Sequence, residues 1–199
     1  MKRRDVAYIL ALTLLFLVIA WSVADVACAH GAYTSTAAFL DAEILGPRGS
    51  MLAGDVLVDN WRWYGIDVLP QLVIWGAETA LGTYPAGGTL VHRNNFGCIR
   101  AFGGWQSTKW GEWADGTVTI RGKAWLTWPT MEVGAHAWGR YIKAGADGRY
   151  LPILARRDWR AFANIYYGRN VPGIEHYIAN LEAFDRRFRA LAAAHGFRW

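Results

Sequence analysis

One acidic residue, Glu78, ends a long apolar stretch of the sequence. Residues 68–81 contain no other charge, and a glycine-containing turn follows at Gly82. Apolar surroundings raise the pKa of a carboxyl group, because burial disfavours the ionised form. A carboxylic acid that stays protonated near neutral pH can donate its proton to a poor leaving group such as a glycosidic oxygen. A solvated glutamate on an amphipathic helix is the commoner case, and it is the motif flanking Glu78 that favours a general acid here.

A second motif lies shortly after Glu78, where residues 94–97 read Asn-Asn-Phe-Gly. Asn and Gly are typical of tight turns. Cys98 follows directly and is one of two cysteines, the other being Cys28 near the N-terminus. We predict no disulfide within the domain, and we interpret Cys98 as a small buried hydrophobic residue rather than a nucleophile.

Aromatic residues are abundant, with twelve Trp and nine Tyr in 199 residues. Five of the tryptophans fall in one short stretch: Trp105, Trp110, Trp113, Trp125 and Trp128. Indole rings bury large apolar areas in cores, and they also form flat platforms for sugar rings. Core packing is the commoner use, so we expect only two or three of the twelve to face a ligand.

The length indicates one domain with a well-developed core. Hydrophobic periodicity predicts a short helix at about 37–44, a helix at about 50–64, and a helix at 68–81 with Asp67 as its N-cap. Residues 84–110 lack helical periodicity and are predicted to be a loop. Two β-rich segments, 117–121 and 124–128, flank Gly122-Lys123 and predict a hairpin. Further helices are predicted after Thr130, which can cap, and at 151–166 and 173–195.

The N-terminus carries an export signal. The basic residues 2–4 precede an uncharged run of about 19 residues, 6–24, which is long enough to span a bilayer. The positive flank keeps the N-terminus in the cytoplasm, so the rest of the chain is expected outside. The sequence is compatible both with an uncleaved anchor and with a signal peptide cleaved after Ala29. We therefore divide the chain into a signal peptide or anchor (1–29), a linker with a short helix (30–49) and a catalytic domain (50–199).

The formal net charge is +5, which fits an acidic, extended partner. The basic residues are scattered and no nucleic-acid-binding motif accompanies them, so we predict no nucleic-acid partner. Histidines 92, 136, 176 and 195 are dispersed, and no cluster has metal-ligand spacing. We predict neither a metal nor another cofactor.

The order of motifs resembles a known family. A helix ends in Ala-Glu-Thr-x-x-Gly-Thr at 77–83, and the Asn-Asn-Phe-Gly turn, a hairpin, an apolar helix after Trp-Pro-Thr-Met-Glu and a late Tyr-rich loop follow. This order is similar to the bacterial glucosaminidase domain of autolysins, flagellar rod-cap hydrolases and phage lysins. The resemblance covers roughly 50–184 and is most specific over 78–97. It implies a mainly helical α+β, lysozyme-like domain with a small hairpin lobe.

The resemblance also implies site residues. Glu78 matches the family's catalytic acid, and Glu112, in a Glu-Trp-x-x-Gly setting, matches its second, less constant acid. Tyr177 and Tyr167 are candidates for a helping tyrosine. The expected substrate-binding residues are Asn94, Asn95, Phe96, Trp113, Trp125, Trp128 and Tyr166.

These matches imply hydrolysis of β-1,4 bonds in peptidoglycan glycan strands by an endo-β-N-acetylglucosaminidase. Two carboxylates serve most glycosidases, and inverting enzymes hold them about 6.5–9.5 Å apart. A route assisted by the substrate's own N-acetyl group stays open. So do muramidase or lytic transglycosylase chemistry on the same fold, and a catalytically silent wall-binding or virion structural protein.

Overall fold

The structure, a computed structural model, describes residues 35–83, 88–101 and 113–199. The N-terminal apolar run, Glu112, Trp105 and Trp110 lie outside the described residues. Over the described ranges, the chain is mainly helical with one small antiparallel sheet of two strands. This observation agrees with the α+β prediction. A search of the same ranges finds no helix with the length and apolarity needed to cross a bilayer.

The first helices lead into the core. Helix α1 (Thr36–Phe39) continues through a π-helical turn (Leu40–Leu45), which confirms the predicted short helix. Helix α2 spans Gly54–Tyr64 and begins later than predicted. The reason is Ser50, whose hydroxyl donates to the carbonyl oxygen of Leu81 and accepts the amide of Leu52 at 2.9 Å. These contacts tie the segment before α2 to the end of the next helix.

Helix α3 (Val68–Thr79) runs through the middle of the core, and ten of its twelve residues are buried. Asp67 occupies the N-cap position as predicted, but its side chain makes no capping hydrogen bond. The helix ends two residues earlier than predicted because Ala80 and Leu81 have left-handed φ values of 49° and 59°. The chain therefore turns sharply just after Glu78.

The predicted hairpin is confirmed. Strands β1 (Gly116–Ile120) and β2 (Lys123–Thr127) pair antiparallel, with Val118 opposite Trp125. The turn residues are Arg121 and Gly122, one position earlier than expected. Both have positive φ, as a two-residue hairpin turn requires.

Helices continue after the hairpin. Thr130 accepts the amide of Val133 at 3.3 Å and caps α4 (Met131–Ala144), as predicted. The helix predicted at 151–166 is wrong as a single element. Instead α5 (Tyr150–Ala155) ends, Arg157 adopts a φ of 55°, and the Asp158 carboxylate caps α6 (Trp159–Ala163). A π-helical turn (Asn164–Gly168) follows α6.

The last helix, α7 (Ile174–Ala194), matches its predicted range closely and packs against α3. The two helices approach closely at Gly76, where an added Cβ would lie 2.9 Å from the ring of Phe184. They run in opposite directions, so the end of α3 meets the beginning of α7. This pairing brings Glu78 next to Tyr177.

Candidate active site

Glu78 lies in the last turn of α3 and meets a tyrosine from the first turn of α7. The hydroxyl of Tyr177 donates a hydrogen bond to Glu78 Oε1 at 2.5 Å. Tyr177 is buried, whereas Glu78 is partly accessible. The carboxyl group therefore has one oxygen fixed by protein and lies at the edge of the core.

Burial raises the pKa of Glu78 above its ordinary value, because the ionised form loses hydration. Hydrogen bonds from Tyr177 and Cys98 act in the opposite direction and lower the pKa, but the burial effect is the larger. The result is a carboxylic acid that keeps its proton at a higher pH than a solvated glutamate. This property is the one that a general acid needs.

The hydrogen-bonding tyrosine stays protonated. Burial, followed by the nearby charge of Glu78, raises the pKa of Tyr177 well above its ordinary value. Tyr177 therefore keeps its hydroxyl proton and donates it in a hydrogen bond to the Glu78 carboxyl group. It supports the ionised carboxylate more strongly than the neutral acid, because hydrogen bonds to charged acceptors are stronger.

The two neighbouring tyrosines of the π-helical turn have different surroundings. Tyr167 is 44% exposed, and its ring stacks on that of Tyr177 with centroids 4.9 Å apart and an interplanar angle of 18°. Tyr166 instead donates its hydroxyl proton to the carbonyl of Gly97 and accepts a hydrogen bond from Trp138 Nε1 at 3.1 Å. Tyr167 offers an aromatic face beside the acid, whereas Tyr166 holds the scaffold.

The Asn-Asn-Phe-Gly turn has a structural role and is joined to the hairpin by side-chain hydrogen bonds. The buried Asn95 accepts the amide of Ile99 at 2.7 Å and donates to the carbonyls of Ile99 and Leu126, both at 2.9 Å. Asn94 donates to the carbonyl of Trp128 at 2.8 Å. Both amide side chains thus join the turn to the hairpin strand β2 and its continuation.

The same turn holds the end of α3. The hydroxyl of Thr79 lies 3.2 Å from the carbonyl oxygen of Phe96, and Cys98 Sγ lies 3.7 Å from the carbonyl oxygen of Glu78. Gly97 packs directly on α4, since an added Cβ would lie 1.9 Å from a ring carbon of Trp138. Only glycine fits at this position without displacing the buried indole.

Burial revises several of the expected substrate-binding residues. Asn95, Phe96 and Trp128 are each at most 2% exposed, so none of them offers a surface to a sugar ring. Tyr166 and Asn94 use their polar groups within the protein. These five residues have a structural role, because their contacts hold the turn, the hairpin and α4 together.

Two of the expected tryptophans remain accessible. Trp113 is 40% exposed, and the guanidinium of Arg140 lies 5.0 Å from its ring centroid, a cation–π arrangement. Trp125 is half-buried on β2. Trp113 therefore presents the larger aromatic surface on the hairpin side of the domain.

Sequence reasoning missed the connection between Tyr166, Gly97 and Trp138. Trp138 lies on the buried face of α4, and nothing in a linear pattern shows that its indole nitrogen donates a hydrogen bond to Tyr166. Gly97 is the sequence feature that indicates this contact, because a glycine within a turn often marks a close approach of another part of the chain.

Comparison with known proteins gives no relative for this chain. No protein-family model, curated protein or solved structure matches it.

Proposed function

We propose that this protein is a peptidoglycan glycoside hydrolase in which Glu78 is the general acid. The observation that carries the proposal is the carboxyl group of Glu78, a partly accessible residue at the end of α3, with a pKa raised by burial and one oxygen bound to Tyr177. The motif order around it resembles the glucosaminidase domain, which supports a lysozyme-like fold and an endo-β-N-acetylglucosaminidase specificity.

In this mechanism, Glu78 donates its proton to the glycosidic oxygen as the bond to the anomeric carbon breaks. The carboxylate left behind is stabilised by Tyr177, whose hydrogen bond strengthens as negative charge develops on its acceptor. An interaction that is stronger after proton transfer than before it lowers the barrier. Tyr177 thus contributes to turnover through Glu78.

Hydrolysis also needs a second group that activates water. Over the described residues, the side chains that shift the pKa of Glu78 are Tyr177 and Cys98, and neither is a carboxylate. We propose Glu112 as the second acid. The substrate's own N-acetyl group is the alternative, and lytic transglycosylase chemistry needs one glutamate alone.

Two exposed aromatic rings supply candidate sugar platforms. Tyr167 lies directly on Tyr177, so a sugar stacked on it would lie beside the acid. Trp113 is exposed and directly follows Glu112 in the sequence. We propose that glycan strands bind across these two surfaces.

The substrate is reached by export. The basic N-terminus and the uncharged run at 6–24 support a domain in the periplasm or cell-wall space, anchored in the inner membrane or released by cleavage near Ala29.

The proposal is tested on purified cell walls. We expect the wild-type protein to release soluble glycan fragments, and the Glu78→Gln variant to be slower on the order of 10²- to 10⁴-fold, the usual contribution of a general acid. Glu182→Gln, at an exposed acid on α7, is the matched control and should keep full activity. A Glu78→Gln protein with most of its activity would contradict the assignment.

Mass spectrometry of the fragments separates the related reactions. A new reducing end at N-acetylglucosamine indicates a glucosaminidase, and one at N-acetylmuramic acid indicates a muramidase. An anhydro product, one water lighter, indicates a transglycosylase. Binding to walls without fragments from the wild-type protein would favour the silent structural protein.

A further inference from the structure

A cavity of about 480 Å³ lies at the opposite end of α3 from Glu78. The first residues of α3 line it, together with residues of α7 and of the C-terminal segment. Its size lies within the range of small-molecule sites. Since Val68 and Glu78 lie at opposite ends of a twelve-residue helix, the cavity is separate from the candidate active site.

The charge of the cavity is mainly positive. Three arginines line it, Arg157, Arg189 and Arg198, against one acid, Asp67. Arg189 is paired with Asp185 at 2.8 Å. Among the described residues, neither Arg157 nor Arg198 forms an ion pair. Two guanidinium groups are therefore available to an anion.

The beginning of α3 adds to this preference. Val68 and Leu69 are the first two residues of the helix, and their amides have no acceptor within it. The helix dipole places partial positive charge at the same point. A phosphate or carboxylate in the cavity would meet both the amides and the arginines.

Apolar groups complete the lining. Two exposed tryptophans, Trp61 and Trp199, border the cavity, and Pro70 and Phe197 contribute to its wall. A free inorganic anion gains nothing from such surfaces. An amphiphile with an anionic head and an apolar body matches both halves of the lining.

The location indicates which amphiphile. Thr36, the first residue of α1, also lines the cavity. The uncharged run at 6–24 ends twelve residues earlier, within roughly 40 Å of extended chain. Trp and Arg are the residues that favour a bilayer interface with anionic lipids.

We propose that this cavity binds the phosphate headgroup of an anionic phospholipid and docks the domain on the membrane surface. The arginines and the α3 amides bind the phosphate oxygens, and the tryptophans lie at the boundary with the acyl chains. This site does not depend on the chemistry of Glu78, so the two proposals can fail separately.

The test uses the full-length chain in neutral detergent micelles and isothermal titration calorimetry. The probe is short-chain dihexanoyl phosphatidylglycerol, compared with dihexanoyl phosphatidylcholine and with glycerol phosphate. We expect saturable binding of phosphatidylglycerol that is at least tenfold tighter than that of either comparison compound. Binding should weaken with added salt, because salt screens exposed charges.

Variants locate the site. We expect Arg157→Gln/Arg198→Gln to weaken phosphatidylglycerol binding at least tenfold, and Arg198→Gln alone to weaken it measurably if the double variant does not fold. Arg121→Gln, at the exposed hairpin turn, is the matched control and should bind as the wild type does. Equal binding of the two lipids would overturn the proposal. So would unchanged binding by Arg198→Gln, or binding of glycerol phosphate as tight as that of the lipid, which would indicate a soluble anion.

Discussion

The two ends of α3 differ in the charge that they favour. At the C-terminal end, a single carboxyl group accepts a hydrogen bond from the buried Tyr177, and burial raises its pKa. At the N-terminal end, arginines surround an open cavity. The helix dipole works with both arrangements, since its negative end disfavours an ionised Glu78 and its positive end favours an anion.

The properties of the two ends depend on different kinds of contact. The acid end relies on buried contacts between distant segments, so small changes in packing should alter its chemistry. The cationic end relies on exposed side chains, so it should respond to salt and tolerate changes in the core. If the acid end is a packed unit, variants that disturb its buried contacts should have larger effects than variants of exposed residues.

The largest effect is expected from Gly97→Ala. The added methyl group would overlap the Trp138 ring, and overpacking of a tight core costs typically about 1–3 kcal/mol and occasionally more. We expect a loss of at least about 3 kcal/mol in the free energy of unfolding, measured by urea denaturation, with loss of wall hydrolysis. Gly116→Ala, where an added Cβ makes only an ordinary contact, is the control and should change stability little. Equal stability of the two variants would break the account of the turn.

The next effect concerns the second acid. If Glu112 activates water, Glu112→Gln should reduce turnover about 10²-fold or more, while binding to insoluble wall polymer stays nearly unchanged. Glycan binding and turnover are measured on the same preparation, with Glu182→Gln as the control. A fully active Glu112→Gln protein would show that Glu78 works alone or with the substrate's N-acetyl group.

A smaller effect is expected from Tyr177→Phe. Its hydroxyl lowers the pKa of Glu78, so removing it should raise that pKa further and move the alkaline limb of the kcat/KM profile to higher pH. The rate on the plateau should fall about tenfold, because the developing carboxylate loses a hydrogen bond. Tyr64→Phe is the control. An alkaline limb that stays in place or moves to lower pH would show that Tyr177 does not act on Glu78.

Local patterns predicted the elements but not the connections between them. The helices, the hairpin and the Thr130 cap follow from periodicity, turn residues and capping, which are short-range effects. The helix break at Arg157 was not predicted because the apolar pattern continues across it. Asp158 is nevertheless a residue type that often caps a helix.

In the candidate site too, the sequence identifies residues but not the contacts between them. Glu78 follows from its apolar surroundings and from the motif that resembles the glucosaminidase domain, and the same resemblance names Tyr177 without showing its contact with Glu78. The structural roles of Asn95, Phe96 and Tyr166 were missed, because they depend on contacts with residues far along the chain, such as Leu126 and Gly97. A sequence pattern does not indicate whether a polar side chain faces a ligand or another loop.

The central claim is that burial raises the pKa of the Glu78 carboxyl group, and titration of that group tests the claim most directly. Carbon-13 NMR of protein labelled at glutamate carboxyl groups, with Glu78→Gln to assign the resonance, gives its pKa. The account predicts a value above the ordinary glutamate value of about 4.3. A Glu78 pKa at or below about 4.3 would contradict it.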